Sequence, residues 1–278
     1  MLTKISADEI KKQLVEAIKY SACHLEESAE KALIMARDKE TCPMAESALN
    51  IMVENAFIAK ETNIPFCQDT GMFIAFVEVG NMVQVDGDIK KAINEAVELG
   101  YEELRKSIVD PILRINTKTN APAVIHFDIV ESDYIKIRYM LKGFGSENMS
   151  RLAMLEPYQG IDGIKAFVVN TVKEAGASPC PPVIVGVGIG GSADQATKLA
   201  KLALFRKIGQ RNKKEHISKL EKDILNEINQ LKIGAQGYCG DATAYDVFIE
   251  DYPTHIASIP VSVNICCHAS RHGEIIIK

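Results

Sequence analysis

The chain has 278 residues, a formal net charge of −5, 47% hydrophobic and 25% charged residues, and no tryptophan. That length supports one large globular domain or two small ones with a substantial core. The acidic balance argues against a nucleic-acid surface, which carries a basic patch. No run of about 18 apolar residues is available to span a membrane, and the segment MLTKISADEIKKQL lacks a signal-peptide apolar core.

A cytoplasmic location is therefore expected. In that compartment the seven cysteines read as metal ligands, catalytic groups or buried thiols rather than disulfides. Ser6 and Glu9 form a capping-box pattern, and Ile10, Leu14 and Ile18 continue it at helical spacing. Further helices are expected over Glu26–Asp38 and Ala45–Lys60, and Cys23 and Cys42, in helical patterns, read as inert core or surface residues. The loop Asn63–Gly71 leads into a strand over Met72–Val79, and Val85–Leu104 reads as a helix. Pro122–Val130 and Tyr134–Leu141 alternate about Glu131-Ser-Asp133, the signature of a hairpin.

The glycine loop Lys142–Asn148 precedes a helix over Gly160–Gly176. Ser178-Pro-Cys-Pro-Pro182 then stiffens the entry to a buried strand, Val183–Val187. A long helix over Ala193–Ile208 follows, then a charged surface helix within Gln210–Leu231 and a glycine-rich loop, Gly234–Asp241. The terminal stretch Tyr245–Arg271 carries His255 on a Pro-Thr turn and a strand over Ile259–Ile265 that delivers Cys266 and Cys267. The fold class is α+β: a helical N-terminal region followed by mixed sheet layers covered by helices. No Pro-, Gly- or Ser-rich linker divides the chain, so one domain spanning residues 1–278 is expected.

Cys67, Cys180 and Cys267 each sit in a loop at one end of an expected strand, beside prolines or a histidine. Three thiolates from distant loops can hold an iron–sulfur cluster with one iron open to act as a Lewis acid. Zinc, a lone nucleophilic cysteine and buried inert thiols stand beside that reading. Asp69 can act as acid or base and Gln68 as a donor to a carboxylate, or Asp69-Thr70-Gly71 is a loop-capping Asx motif. His255 suits proton transfer or a structural hydrogen bond. Gly186-Val-Gly-Ile-Gly-Gly191 matches the dinucleotide fingerprint. The basic segment Arg206–Lys214 replaces the acidic residue expected about twenty residues on. The preferred alternative is glycines that let backbone approach a cluster or an anionic substrate. The loops at Gly143–Gly145 and Gly234–Gly240, and the side chains Arg105 and Arg114, are candidates for carboxylate binding.

Six motifs occur in order: Pro65-Phe-Cys-Gln-Asp-Thr-Gly71, Lys142-Gly-Phe-Gly-Ser-Glu-Asn148, Cys180-Pro-Pro-Val-Ile-Val-Gly-Val-Gly-Ile-Gly-Gly191, Gly240-Asp-Ala-Thr-Ala244, Pro253-Thr-His255 and Asn264-Ile-Cys-Cys-His-Ala-Ser-Arg271. Together they resemble the alpha subunit of the iron–sulfur (class I) fumarate hydratases and the similar L-tartrate dehydratases, over nearly the whole chain. Family members often carry three glycines where this chain has Gly143-Phe144-Gly145, and the last motif continues here into His272.

The resemblance implies a 4Fe-4S cluster held by Cys67, Cys180 and Cys267, the last because it directly precedes His268-Ala269. It also implies Asp69 and His255 as catalytic residues, with Gln68, Arg105 and Gly145 contacting the substrate. The implied reaction is reversible hydration of fumarate to (S)-malate, with tartrate dehydration to oxaloacetate as the alternative and a nucleotide-dependent oxidoreductase further off. The implied partner is a beta subunit that completes the site, in a higher oligomer of alpha–beta pairs. Neither nucleic acid nor membrane is an expected partner.

Overall fold

The computed structural model describes residues 2–278. Its elements are β1 (Thr3–Ser6), α1 (Ala7–Cys23), α2 (Glu27–Lys39), α3 (Pro43–Thr62), β2 (Met72–Gly80), β3 (Val83–Asp86), α4 (Ile89–Gly100), β4 (Val124–Val130), β5 (Ile135–Lys142) and the single turn α5 (Phe144–Glu147). They continue with β6 (Arg151–Leu155), α6 (Gly160–Ala175), β7 (Val183–Gly190), α7 (Ala193–Ala203), α8 (Glu215–Gln230), β8 (Ala244–Tyr252), β9 (Ile259–Cys266) and β10 (His272–Ile277). The architecture is α+β, as the residue pattern implies. The chain forms two compact units that interleave in sequence: Met1–Glu26, Ala56–Phe144 and Arg271–Lys278 make the first, Glu27–Asn55 and Gly145–Ser270 the second.

In the first unit the sheet runs β10-β5-β2-β4. Ser6 caps α1, accepting from the Asp8 amide. The 3.6-residue period then puts Ile10, Leu14 and Ile18 on one buried stripe. With Ile93, Ala96 and Val97 of α4 they cover Phe73, Ala75 and Val77 of β2 and Ile135, Ile137 and Tyr139 of β5. The expected hairpin between the two alternating runs does not form. β4 pairs parallel with β2, and β5 pairs antiparallel with β2 on its other side. The turn between them crosses the end of β2 instead, and the Gly80 amide donates to the Tyr134 carbonyl at 3.0 Å. A side chain at Gly80 would bring Cβ within 2.4 Å of the Ser132 carbonyl oxygen, so glycine makes this crossing possible. The helix expected over Val85–Leu104 is shorter than its pattern. Val83–Asp86 pairs as a strand with β1, and Asp88 caps α4 only from there.

In the second unit the order is β6-β9-β7-β8, with β7 parallel to β8 and antiparallel to β9. β7 and β9 are buried along almost their whole length. The core includes Val183, Val185 and Val187 of β7, Val261, Val263 and Ile265 of β9, Val168 and Val172 of α6, and Ile217, Ile224 and Ile228 of α8. Burial on both faces removes the alternation that marks a half-exposed strand.

The glycine motif has a different use from the one expected. Gly186, Gly188 and Gly190 belong to β7 rather than to a ligand loop. A Cβ on Gly186 or Gly188 would lie 2.2 Å from the Ala200 carbonyl oxygen or 2.0 Å from that of Ala196. These two glycines admit the backbone of α7 against the strand, which accounts for their spacing without a nucleotide or an anion.

The charged helix α8 is amphipathic, and it hides one charge. Glu221 has 0% exposure. It accepts from Arg206 Nη1 at 2.6 Å and from the backbone amides of Asn212 and Ile249 at 3.0 Å. Asp246, also buried, accepts from Arg211 Nη1 at 2.6 Å and from the Gly209 amide at 2.8 Å. Buried carboxylates persist when charge and hydrogen bonds both answer them.

Candidate active site

In the first unit the loop before β2 presents Cys67, Gln68 and Asp69 in succession. Asp69 is fixed by two backbone amides: Gly71 N donates to Oδ1 at 3.0 Å and Phe144 N donates to Oδ2 at 2.7 Å. The first bond is the Asx motif anticipated from Asp69-Thr70-Gly71. The second joins the loop entering β2 to the turn leaving β5. Gly71 has φ +76°, and a Cβ there would sit 2.7 Å from the Leu141 carbonyl carbon, so the turn depends on glycine.

Gln68 is exposed and accepts from the Cys67 thiol at 3.8 Å. Thr70 is buried and donates to the Arg105 carbonyl at 2.8 Å, and Asn120 Nδ2 donates to the same oxygen at 2.8 Å. Arg105 is thereby held in this neighbourhood by its backbone while its side chain remains exposed.

Three residues of this unit were given no role from sequence. Lys142 is 1% exposed and donates to the Gly143 carbonyl. Arg271 is 4% exposed, with its guanidinium 5.9 Å from the centre of the Phe66 ring. Tyr101 is fully buried, and that burial pushes its phenol well above the ordinary range, with the Arg271 charge opposing the rise and the Asp69 charge adding to it. Lys142 and Arg271 lie within recognisable motifs. No spacing rule distinguishes Tyr101 from an ordinary core aromatic.

In the second unit the Cys180 loop, the segment after β9 and the Gly234–Asp241 loop come together. The Cys180 carbonyl accepts from the His268 amide at 3.4 Å, and His268 Nδ1 lies 3.1 Å from the same oxygen. An acceptor there requires the imidazole proton on Nδ1. Gln236 donates to the Pro181 carbonyl from its backbone at 2.8 Å and from its side chain at 3.3 Å. The loops of Cys180 and Cys267 are thus braced against each other. The Cys267 thiol is half-buried, 3.8 Å from the Ala269 carbonyl, and Cys180 is exposed. Near Cys267 the Tyr245 hydroxyl is buried without a hydrogen-bond partner, and burial pushes its phenol up, with the Cys267 thiolate adding to the rise.

His255 is exposed on the turn between β8 and β9, and its Nδ1 accepts from the Ala257 amide at 3.2 Å. A neutral imidazole in that bond carries its proton on Nε2, directed away from the turn. Thr254 anchors the turn by donating to the Gly191 carbonyl at 3.0 Å. Gly145 is exposed in α5, and a Cβ there would meet the Ser178 carbonyl at an ordinary 3.5 Å. No steric requirement for glycine operates at that position.

All seven cysteines are thiols. Cys67 belongs to the first unit and Cys180 and Cys267 to the second. Among the described residues of either unit, no three His, Cys, Asp or Glu side chains gather at metal-ligand spacing.

The first unit thus carries a carboxylate held by two amides beside one thiol, and the second carries two further thiols and an exposed imidazole. The family model for fumarate hydratase (fumerase) matches residues 11–276, and the chain belongs to that family. Among its relatives is the putative L(+)-tartrate dehydratase subunit alpha of Methanocaldococcus jannaschii, 46% identical over 274 residues, which cover 95% of this chain and 96% of the relative. The L(+)-tartrate dehydratase subunits alpha of Escherichia coli K12 and Shigella sonnei are each 32% identical over 247 residues, covering 87% of this chain and 82% of theirs. Among the described residues no helix is long and apolar enough to cross a membrane.

Proposed function

We propose that this chain is the alpha subunit of an iron–sulfur hydro-lyase that removes water from a four-carbon 2-hydroxy dicarboxylate, with L-tartrate as the first candidate. The sequence motifs alone put fumarate hydration first. The relatives named above favour tartrate, and fumarate–malate interconversion is retained as the second reading because the family model bears that name. The observation that carries the proposal is Asp69, a carboxylate with one amide on each oxygen, two residues from Cys67.

The donor chemistry fits an iron–sulfur group. Cys67, Cys180 and Cys267 are soft thiol ligands on loops entering or leaving central strands. The Tyr245 hydroxyl beside Cys267 is an orphan donor that a thiolate or sulfide would satisfy. When bound, such a cluster with one iron open to substrate supplies the Lewis acid that weakens the C–O bond.

The remaining work falls to this chain and its partner. Asp69 is held in one orientation by the Gly71 and Phe144 amides, so it can take or return a proton without first reorganising. His255, with its Nε2 proton outward, is the second proton-transfer group. Gln68, Arg105 and the backbone at Gly145 face substrate carboxylates. A beta subunit covers the site, excludes water and supplies the remaining carboxylate-binding groups; the working form is an oligomer of alpha–beta pairs in the cytoplasm.

The test is anaerobic reconstitution of the alpha–beta complex with iron and sulfide, followed by assays of oxaloacetate formed from L-tartrate and malate formed from fumarate. The expected result is turnover of a dicarboxylate by the complex and little or none by the alpha chain alone. A cluster-loaded complex that dehydrates neither substrate overturns the proposal.

A further inference from the structure

Arg271 is a cation that folding takes out of water without giving it a counter-ion. It is 4% exposed and its Nε is buried with no hydrogen-bond partner. The guanidinium carbon lies 5.9 Å from the centre of the Phe66 ring, a contact that offsets part of the desolvation of a cation but accepts none of its N–H groups. A buried guanidinium ordinarily sits against a carboxylate. Asp69 flanks the same Gly143 position as Arg271 but forms no ion pair with it, and each of its oxygens accepts a backbone amide.

A second orphan donor lies within electrostatic range. The Tyr101 hydroxyl is fully buried and without a partner, close enough to Arg271 and Asp69 to feel both charges. Gly143 keeps the neighbourhood open. A Cβ on it would intrude 3.2 Å from Asp69 Oδ2 and 3.5 Å from Arg271 Nη2. Two buried donors are therefore left unpaired here, the Arg271 Nε and the Tyr101 hydroxyl. The complementary ligand is acceptor-only and negative, which describes a carboxylate.

We propose that Arg271, with the buried Tyr101 hydroxyl as a second unpaired donor of the same unit, is a binding residue for one carboxylate of the substrate. The proposal deepens the hydro-lyase reading and rests on it for the identity of the anion. The fork of Arg271 holds the carboxylate from one side and the phenol donates from the other, while Asp69 stays available to the reacting carbon. Interactions present equally before and during the reaction change KM and leave kcat alone.

The experiment uses the reconstituted alpha–beta complex and two conservative variants, Arg271→Lys, which keeps the charge and loses the fork, and Tyr101→Phe, which keeps the ring. KM for the dicarboxylate is expected to rise about tenfold or more in Arg271→Lys and a few-fold in Tyr101→Phe, with kcat within about threefold of the parent. Calorimetric binding of succinate, a dicarboxylate with no hydroxyl to lose, should weaken by the same factors, so the site is read without turnover. Succinate affinity equal to the parent's in both variants overturns the proposal, and so does a lowered kcat with unchanged KM. If Arg271→Lys fails to fold, Tyr101→Phe decides alone. A parent complex that binds succinate but dehydrates neither tartrate nor malate defeats the hydro-lyase reading and leaves the anion site standing.

Discussion

The two units share one sheet plan and equip it differently. In the first, β2 pairs parallel with β4 and antiparallel with β5, which pairs antiparallel with β10. In the second, β7 stands to β8, β9 and β6 in the same relations. The outer strand comes last in the chain in one unit and first in the other, a circular rearrangement of one pattern.

In both units the loop entering the central strand, β2 or β7, meets the turn leaving its antiparallel neighbour, β5 or β9. At that meeting point the first unit joins the Asp69 carboxylate to the Phe144 amide, and the second joins the Cys180 carbonyl to the His268 amide. The same meeting of loop and turn thus carries a carboxylate in one case and two thiol-bearing segments in the other. Cys67, on the first unit's loop, is the thiol that breaks the division. Position in the plan marks where chemistry can be mounted, and the residue mounted there decides which chemistry it is.

The strongest challenge to this comparison is to the thiols. Cys67→Ser, Cys180→Ser and Cys267→Ser are each expected to abolish iron binding in anaerobically reconstituted protein, read as iron per chain, while Cys23→Ser and Cys42→Ser retain it. Loss of iron in Cys266→Ser with retention in Cys267→Ser would move the ligand by one residue. Next in size is the carboxylate. Asp69→Asn should lower turnover about 100-fold or more with iron content intact, and His255→Asn should do likewise. A near-normal rate would return Asp69 to a turn-capping role alone.

Two changes away from the chemistry sharpen the structural side. Glu221→Ala strands Arg206 and two amides in the second unit, and a loss of about 3–5 kcal/mol is expected in urea unfolding. Ser21→Ala removes a buried 2.9 Å bond to the Tyr139 hydroxyl in the first unit. Tyr139 keeps the Ala17 carbonyl at 3.2 Å, so that loss should be only about 1 kcal/mol. Reversal of these two magnitudes would show that the units' cores are not held as described.

What could be read from sequence follows the physics of each signal. α1 and α6 were legible because a cap or glycine starts them and a regular apolar stripe continues them. β1, β6 and β10 were not, since strands of four to six residues carry too few alternations to stand out. The pairing of β4 with β2 was hidden because alternation reports a strand and not its neighbour, and the deciding residue, Gly80, lies outside both runs. The glycine motif, read as letting backbone approach a cluster or an anionic substrate, misled for a related reason: close helix–strand packing and approach to a ligand ask for the same absent side chain. Asp69, Cys180 and His255 stood out by their loops. The chain also places Cys180 and the His268 turn together and ties Arg105 to the Asp69 loop. Arg271 and Tyr101 stayed silent, because a charge or phenol without a partner becomes visible only when its surroundings are known.

The Glu221 arrangement has a consequence for solubility. β8 is the outermost strand of its sheet, and an outermost strand offers open amides and carbonyls to any other extended chain. Here those groups are occupied: Ile249 N by Glu221, the Ile249 carbonyl by Asn212, and the Val247 carbonyl by Arg211. The side chains that settle the buried charge also close the margin of the sheet to a passing strand. At those positions β8 is therefore guarded against edge-to-edge joining with another extended chain.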